Sequence, residues 1–230
     1  MENANLNIYD TLLGLPLFQG LSQSSLAQVV GHTKFDFERH SAGAQVLSAY
    51  TPCDSMIFLI KGEMSVITHS DDHSYHVEEY EQAPLLIEPE RLFGLSQHYG
   101  RDYMALSDVD LLRISKSEAI GLSARFYVFR INLLNILTTQ NQRMLRHPWR
   151  VLPATRRDKI VRFLFDHSLR PAGHKRFHIG MQLLATHIGE SRLNVSRELH
   201  LMEQEGLLSL GRGMIEVKAL ERLLHTHASR

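Results

Sequence analysis

The 230-residue chain is 43% hydrophobic and 22% charged, as an ordinary globular protein is. No apolar run nears the roughly 18 residues of a membrane span, and the start Met1-Glu2-Asn3-Ala4-Asn5 lacks the basic and apolar parts of a secretion signal, so a cytoplasmic protein without a membrane partner is expected. The single cysteine, Cys53, excludes an internal disulfide, an all-cysteine zinc site and a four-cysteine iron–sulfur cluster within one chain.

In chain order, Leu15-Pro16-Leu17-Phe18 and residues 25–30 read as short helices. Residues 55–60 form an apolar run ended by Lys61-Gly62-Glu63, and residues 64–68 then alternate, so Gly62 is placed in a hairpin turn. A polar stretch, 69–74, gives a second turn before Tyr75-His76-Val77. Residues 85–87 and 109–114 supply further strands, and the acidic residues among them read as solvated strand faces. Short, closely spaced strands predict a small barrel or sandwich up to about residue 115.

From Ser117 to about His147 there is no proline and one glycine, which predicts a single long helix. Phe126, Phe129, Leu133, Ile136 or Leu137, Gln140 and Met144 recur at spacings of three and four, and Tyr127, Ile131, Leu134 and Leu145 form a second apolar line. A helix apolar on so much of its girth needs cover on two sides, one its own barrel and the other a second copy of the chain. A buried helix of a monomer would give the same periodicity. His147-Pro148 and Leu152-Pro153 then form a hinge, where Trp149 is expected to pack the two parts together.

The zero net charge hides a split. Residues 1–140 hold nine basic and seventeen acidic residues, a net of −8, whereas residues 141–230 hold sixteen and eight, a net of +8, so the second part should be drawn to a polyanion. Thr155 is an expected cap for a helix burying Ile160, Phe163 and Leu164. Residues 181–200 then carry the pattern of two crossing helices: Ala185 is small, Gly189 can take the positive φ of the turn, and Leu184, Ile188, Val195 and Leu199 are apolar where the helices face each other. At about 100° per residue, Val195, Leu199 and Met202 share the buried side of the second helix. Arg192, Leu193, Ser196, Arg197 and His200 look outward, with Ser191 at the helix start. Arginine can bridge O6 and N7 of guanine, and leucine can pack on a thymine methyl. Gln182, Asn194 and Arg212, the last in a hairpin over 207–217 that turns at Gly211-Arg212-Gly213, complete the expected DNA-binding set.

Leu15-Pro16-Leu17-Phe18-x-Gly20-Leu21-Ser22, the run Ile57–Gly62, the long helix, Gly189-x-Ser191-Arg192-x-x-Val195-x-Arg197 and Glu205-Gly206-Leu207-Leu208 together resemble the Crp/Fnr family of bacterial regulators. The resemblance covers nearly the whole chain and is most specific over 181–217. It implies an α+β architecture: a jelly-roll-like effector β-barrel of the cyclic-nucleotide-binding type (1–115), a dimerisation helix (116–148) and a C-terminal winged helix-turn-helix (149–230). It further implies that Ser191, Arg192 and Arg197 contact DNA. Two departures matter. Leu193 stands where many relatives have a base-reading glutamate, and the stretch Glu88–Leu95 with Arg101-Asp102 lacks the Gly-Glu and Arg-Ser/Thr pairs that hold cyclic AMP. An effector pocket, if the barrel has one, is expected at Arg91, Phe93, Gly94, Leu95, Arg101 and Tyr103, for a ligand other than cyclic AMP.

His69, Asp71, Asp72, His73 and His76 crowd one predicted turn. They could hold a transition metal, but polar turns favour the same residue types, and no metal or cofactor is assigned. Cys53 reads as a packed residue, since Asp54 beside it opposes a thiolate. No phosphate loop, elbow serine or His-Glu-x-x-His occurs, so no enzyme is expected. The reading is a homodimeric regulator of double-stranded DNA binding a palindrome, with an unidentified small molecule and RNA polymerase as further candidate partners. A binding module with a non-functional helix-turn-helix is the alternative.

Overall fold

A computed structural model describes residues 2–146 and 149–225. They form two compact units that are interleaved in sequence. One comprises the chain up to Met64 with Glu81–Arg150, and the other Ser65–Tyr80 with Val151 onward.

The first unit begins with α1 (Glu2–Gly14) and α2 (Gln23–His32). Leu15-Pro16-Leu17-Phe18, expected to be helical, is instead a run of turns between them. It still has a structural task, because Leu17 and Phe18 are fully buried. Four antiparallel strands follow the order β1 (Asp36–His40), β8 (Val109–Ser115), β3 (Ser55–Lys61) and β6 (Leu85–Ile87), and β2 (Gln45–Leu47) pairs with β7 (Asp102–Ala105). The sheets are jelly-roll-like and do not close into a barrel. Strand β3 buries Ser55 through Leu59 on both faces, which is why it reads as an unbroken apolar run instead of an alternation. The turn after it needs Gly62: φ is +92°, and a Cβ there would lie 2.5 Å from the Asp108 carbonyl oxygen.

The helix expected over 117–147 is two helices, α3 (Lys116–Arg125) and α4 (Tyr127–Arg146), bent by 116° at Phe126. Phe126 is extended (φ −115°, ψ 104°) although neither proline nor glycine stands there. Packing decides the break. Ser115 caps α3 beside β8, whereas α4 sets Phe129 against Phe18, with ring centroids 5.2 Å apart, and Phe18 also meets Phe58 at 5.9 Å. Asn132 donates to the carbonyls of Leu17 and Gln19 (3.2 and 2.9 Å), tying α4 to the N-terminal turns. No single described helix is long and apolar enough to cross a membrane.

The second unit contains α5 (Arg156–Asp166), β9 (Lys175–His178), α6 (Met181–Ile188), α7 (Arg192–Gln204), β10 (Ser209–Gly211), β11 (Met214–Val217) and α8 (Leu220–His225). Its sheet runs β10-β11-β9 and continues into β5 (His76–Gln82) and β4 (Glu63–His69), whose outer parts belong to this unit. A capping box of Thr155 and Asp158 starts α5, and Ile160, Val161, Phe163 and Leu164 bury its inner face. The core joins them to Phe177, Leu184, Val195, Leu199 and Ile215, and Val77 of β5 lies among them.

Two expectations are corrected. The acidic residues of the strand-rich part are not all on solvated strand faces: Glu79 and Glu81 of β5 are buried, and so is Glu88 just after β6. Trp149, expected to pack the two parts together, is 86% exposed. The expected hinge residues His147 and Pro148 lie outside the described residues. Cys53 is buried, and burial pushes its thiol up, with Glu88 and Asp54 adding to the effect.

Candidate nucleic-acid interface

The helix pair is built around one backbone position. Helix α6 buries Leu184 and Ala185 and ends at Gly189 in the left-handed region (φ 66°, ψ 41°). There the Gly189 and Glu190 amides donate to the Thr186 and Ala185 carbonyls (3.3 and 2.9 Å), so the helix stops with its last carbonyls satisfied. Two residues on, Ser191 caps α7, its Oγ accepting from the Asn194 amide at 3.2 Å. Val195, Leu199 and Met202 are buried as the sequence predicts, and Ile188 is partly buried against them.

The acidic residues around α7 are held by cations behind it. From α5, Arg157 donates through Nε to Glu198 (2.7 Å) and through both terminal nitrogens to Glu205 (2.8 and 2.7 Å), a planar fork that fixes the roll of α7. Lys159 reaches Glu190 at 2.7 Å, with Arg156 3.6 Å from the same carboxylate. The Lys159 hydrogen bond holds the Glu190 carboxyl below its usual range, and Asn194 and Arg156 reinforce it. Glu203 accepts from the Leu210 amide at 2.8 Å and so ties α7 to the β10–β11 wing.

The opposite side of α7 is left basic. Arg192, Leu193, Arg197 and His200 are exposed there, and Asn194 and Ser196 are half-buried. Among the described residues Arg192 and Arg197 make no ion pair, and neither does Arg212 at the exposed wing tip, whereas Arg156, Arg157 and Lys159 are committed to carboxylates. His200 donates from Nδ1 to the Ser196 carbonyl (2.7 Å), which leaves Nε2 as the ring's outward atom. Gln182 is exposed near the start of α6. Leu201 and Gln204 line a shallow groove with Ser196, Arg197 and His200. These two escaped the sequence reading, although Leu201 lies four positions after Arg197 and Gln204 four after His200, which places them along the same face.

The residues expected at an effector pocket divide. Arg91, Arg101 and Tyr103 gather around a buried residue the sequence reading did not single out, Glu88, whose backbone is left-handed (φ 35°, ψ 54°). Its carboxylate accepts from the Tyr103 hydroxyl (3.1 Å) and the Gly100 amide (2.8 Å), with Arg101 and Arg91 at 3.6 and 3.7 Å. Arg101 also lies 3.6 Å from Glu90. Burial and the Glu88 charge push the Tyr103 hydroxyl well up. Phe93 instead lies under the Lys116 ammonium, 5.1 Å from the ring centre, Gly94 forms a turn (φ +89°), and Leu95 is fully exposed. Asp102 accepts from the Ala49 amide at 2.9 Å. Among the described residues no three histidine, cysteine, aspartate or glutamate side chains are grouped to hold a metal ion.

Phe126 at the bend and Phe129 and Leu133 of α4 are buried within the chain's own first unit, and Ile136, Leu137 and Gln140 are half-buried. Of these six residues, expected on the dimerisation helix, three are thus buried inside the chain and three stay partly open. The exposed apolar residues of α4 are Tyr127, Leu134, Met144 and Leu145.

Residues 158–226 match the model of the Crp-like helix-turn-helix domain. No curated protein matches the chain by sequence. Among solved structures, a chain from Eubacterium rectale assigned to the Crp/Fnr family of transcriptional regulators aligns with 94% of this chain and 99% of its own, at 16% identity and a TM-score of 0.52. The sensor domain of the transcriptional regulator DNR from Pseudomonas aeruginosa covers 63% of this chain and 95% of its own, at 20% identity and a TM-score of 0.51. The catabolite activator protein of Thermus thermophilus aligns over 93% of this chain and 98% of its own, at 21% identity and a TM-score of 0.48. The chain thus carries a Crp-like helix-turn-helix domain and has the fold of the Crp/Fnr transcription regulators.

Proposed function

We propose that the chain acts as a homodimer on a palindromic DNA site, with α7 entering the major groove and Arg192, Arg197 and Arg212 meeting the duplex. The observation that carries this reading is the division of cations. Those behind α7 are consumed by Glu190, Glu198 and Glu205, while those on its outer face and at the wing tip keep their charge for a polyanion. Arg197 offers a fork to guanine O6 and N7, Leu193 an apolar contact for a thymine methyl, and Ser191 with the first amides of α7 a seat for a phosphate. Tyr127, Leu134, Met144 and Leu145 provide the exposed apolar surface that a second copy would cover. The effector, where one acts, is not cyclic AMP, because Arg101 is engaged by the Glu88 and Glu90 carboxylates and is not free to meet a phosphate.

Selection of bound sequences from random duplexes, with the purified protein and no added ligand, tests the reading. A recovered inverted repeat with half-site centres about one helical turn apart is expected. Arg197→Ala should cost about 1–3 kcal/mol and relax one base position, whereas Arg212→Ala, at a phosphate, should weaken all sequences alike and lower the salt slope by about one. No retention on any duplex at low salt would favour a binding module whose helix-turn-helix does not function.

A further inference from the structure

The second unit borrows a strand. Residues of β5 pair antiparallel with β9 in the register His76↔His178, Val77↔Phe177, Glu78↔Arg176 and Glu79↔Lys175. The alternation of β5 sorts these pairs onto two faces. Inward, Val77 joins the apolar core and Glu79 makes a fully buried ion pair with Lys175 (2.7 Å), its carboxylate also accepting from the Leu169 amide at 3.1 and 2.9 Å. Outward, the pairing consists of titratable groups. The His76 and His178 rings stack at 4.3 Å and 12°, and Tyr80 stacks on His174 at 4.6 Å.

The charges facing this stack come from every neighbouring strand. From β4, His69 lies 5.3 Å from His76, with His73 of the hairpin turn 5.3 Å beyond. The Asp72 carboxylate of that turn is held by Ser70 and Ser74. From β5 and β9, Glu78 is shared between Arg176 (3.7 Å) and His178 (3.8 Å). From β11, Glu216 is taken by Arg176 (3.0 Å) and His174 (2.8 Å), and Met214 stands in register with His178. With neutral imidazoles, the β5–β9–β11 row carries one guanidinium and two carboxylates, a net of −1. Protonating His76, His174 and His178 turns it to +2, and His69 would add a further charge. Glu78 can offset a single positive charge on the stack, and a second charge on the adjoining ring would be left without a counter-charge.

We propose that the pairing of β5 with β9 is a proton-controlled seam, closed when His76 and His178 are neutral and opened when both are charged. The sign follows from the surroundings of His76: burial, His178 and His69 disfavour its charged form, and Glu78 opposes them. The closed seam is therefore stabilised fully above the ordinary imidazole value of 6.5 and loses that stabilisation as pH falls below it. Opening would bare the β9 edge and separate Glu79 from Lys175, so the seam also decides whether a sheet edge of the DNA-binding unit is covered.

Hydrogen exchange on the full chain, without DNA, reads the seam directly. Corrected for intrinsic rates, protection of residues 76–79 and 175–178 should fall roughly tenfold or more between about pH 7.5 and pH 5.5, while the Val195–Leu199 stretch of α7 keeps its protection. His76→Phe keeps a ring on the stack and removes its charge, and should flatten the fall. His178→Phe is the reciprocal variant and decides the matter if the first does not fold. Unchanged protection at the seam, an equal loss in α7, or a phenylalanine variant that falls like the wild type would each overturn the proposal.

Discussion

Lys175 and Glu79 are both almost fully buried and satisfy each other, so neither can be removed alone without leaving a charge inside the second unit. Lys175→Met should cost about 3–5 kcal/mol in urea unfolding, and pairing it with Glu79→Leu should recover most of that loss. Glu190 makes a different case, because it sits near the surface and acts through Lys159. Its depressed carboxyl contributes stability that is complete above the ordinary value of 4.5 and is lost as pH falls below it. The difference in thermal midpoint between wild type and Glu190→Gln should therefore shrink steadily under acid, and a difference that grew would contradict the pairing. Little of this was legible in the sequence. Glu79 alternates with Val77 as an inward residue should, but a glutamate on a strand reads as solvent-facing until its lysine, almost a hundred positions later, is brought beside it.

Among the elements, α6 and α7 were the most legible, because their geometry rests on local requirements: a small residue at the crossing, a positive φ at the turn, a hydroxyl cap. Gly189 isolates one of these. A Cβ there would meet nothing within 4 Å, so any loss on substitution is conformational. Gly189→Val should lower stability by about 1–2 kcal/mol and Gly189→Asn by clearly less, measured by thermal melts. The break at Phe126 was illegible for the converse reason. Its residues favour a helix, and the bend is imposed by where β8 and Phe18 lie, which periodicity does not encode. The same bend redistributes the apolar lines of α4, which is why Phe129 and Leu133 face inward and Tyr127 and Leu134 do not. Strand β9 was missed because Lys175-Arg176-Phe177-His178 lacks the apolar alternation that marks a strand, its inward lysine being paired instead.

For the whole molecule, the opposed net charges of the two sequence parts were visible from composition and remain the plainest guide to which part meets DNA. On the reading proposed above, Leu134→Asp should shift the protein toward monomer in sedimentation at micromolar concentration and weaken binding to a full palindrome far more than to a half-site. An unchanged sedimentation profile would remove α4 from the contact. The interleaving of the second unit carries a consequence for synthesis. Residues 65–80 leave the ribosome well before 151–230, and at about 5–20 residues per second the inward face of β5 waits on the order of ten seconds for its partner strand. Through that interval Val77 and Glu79 have no core to enter. The winged helix therefore cannot be completed from its own contiguous sequence, and β9, once synthesised, must find an edge that has been waiting since early in translation.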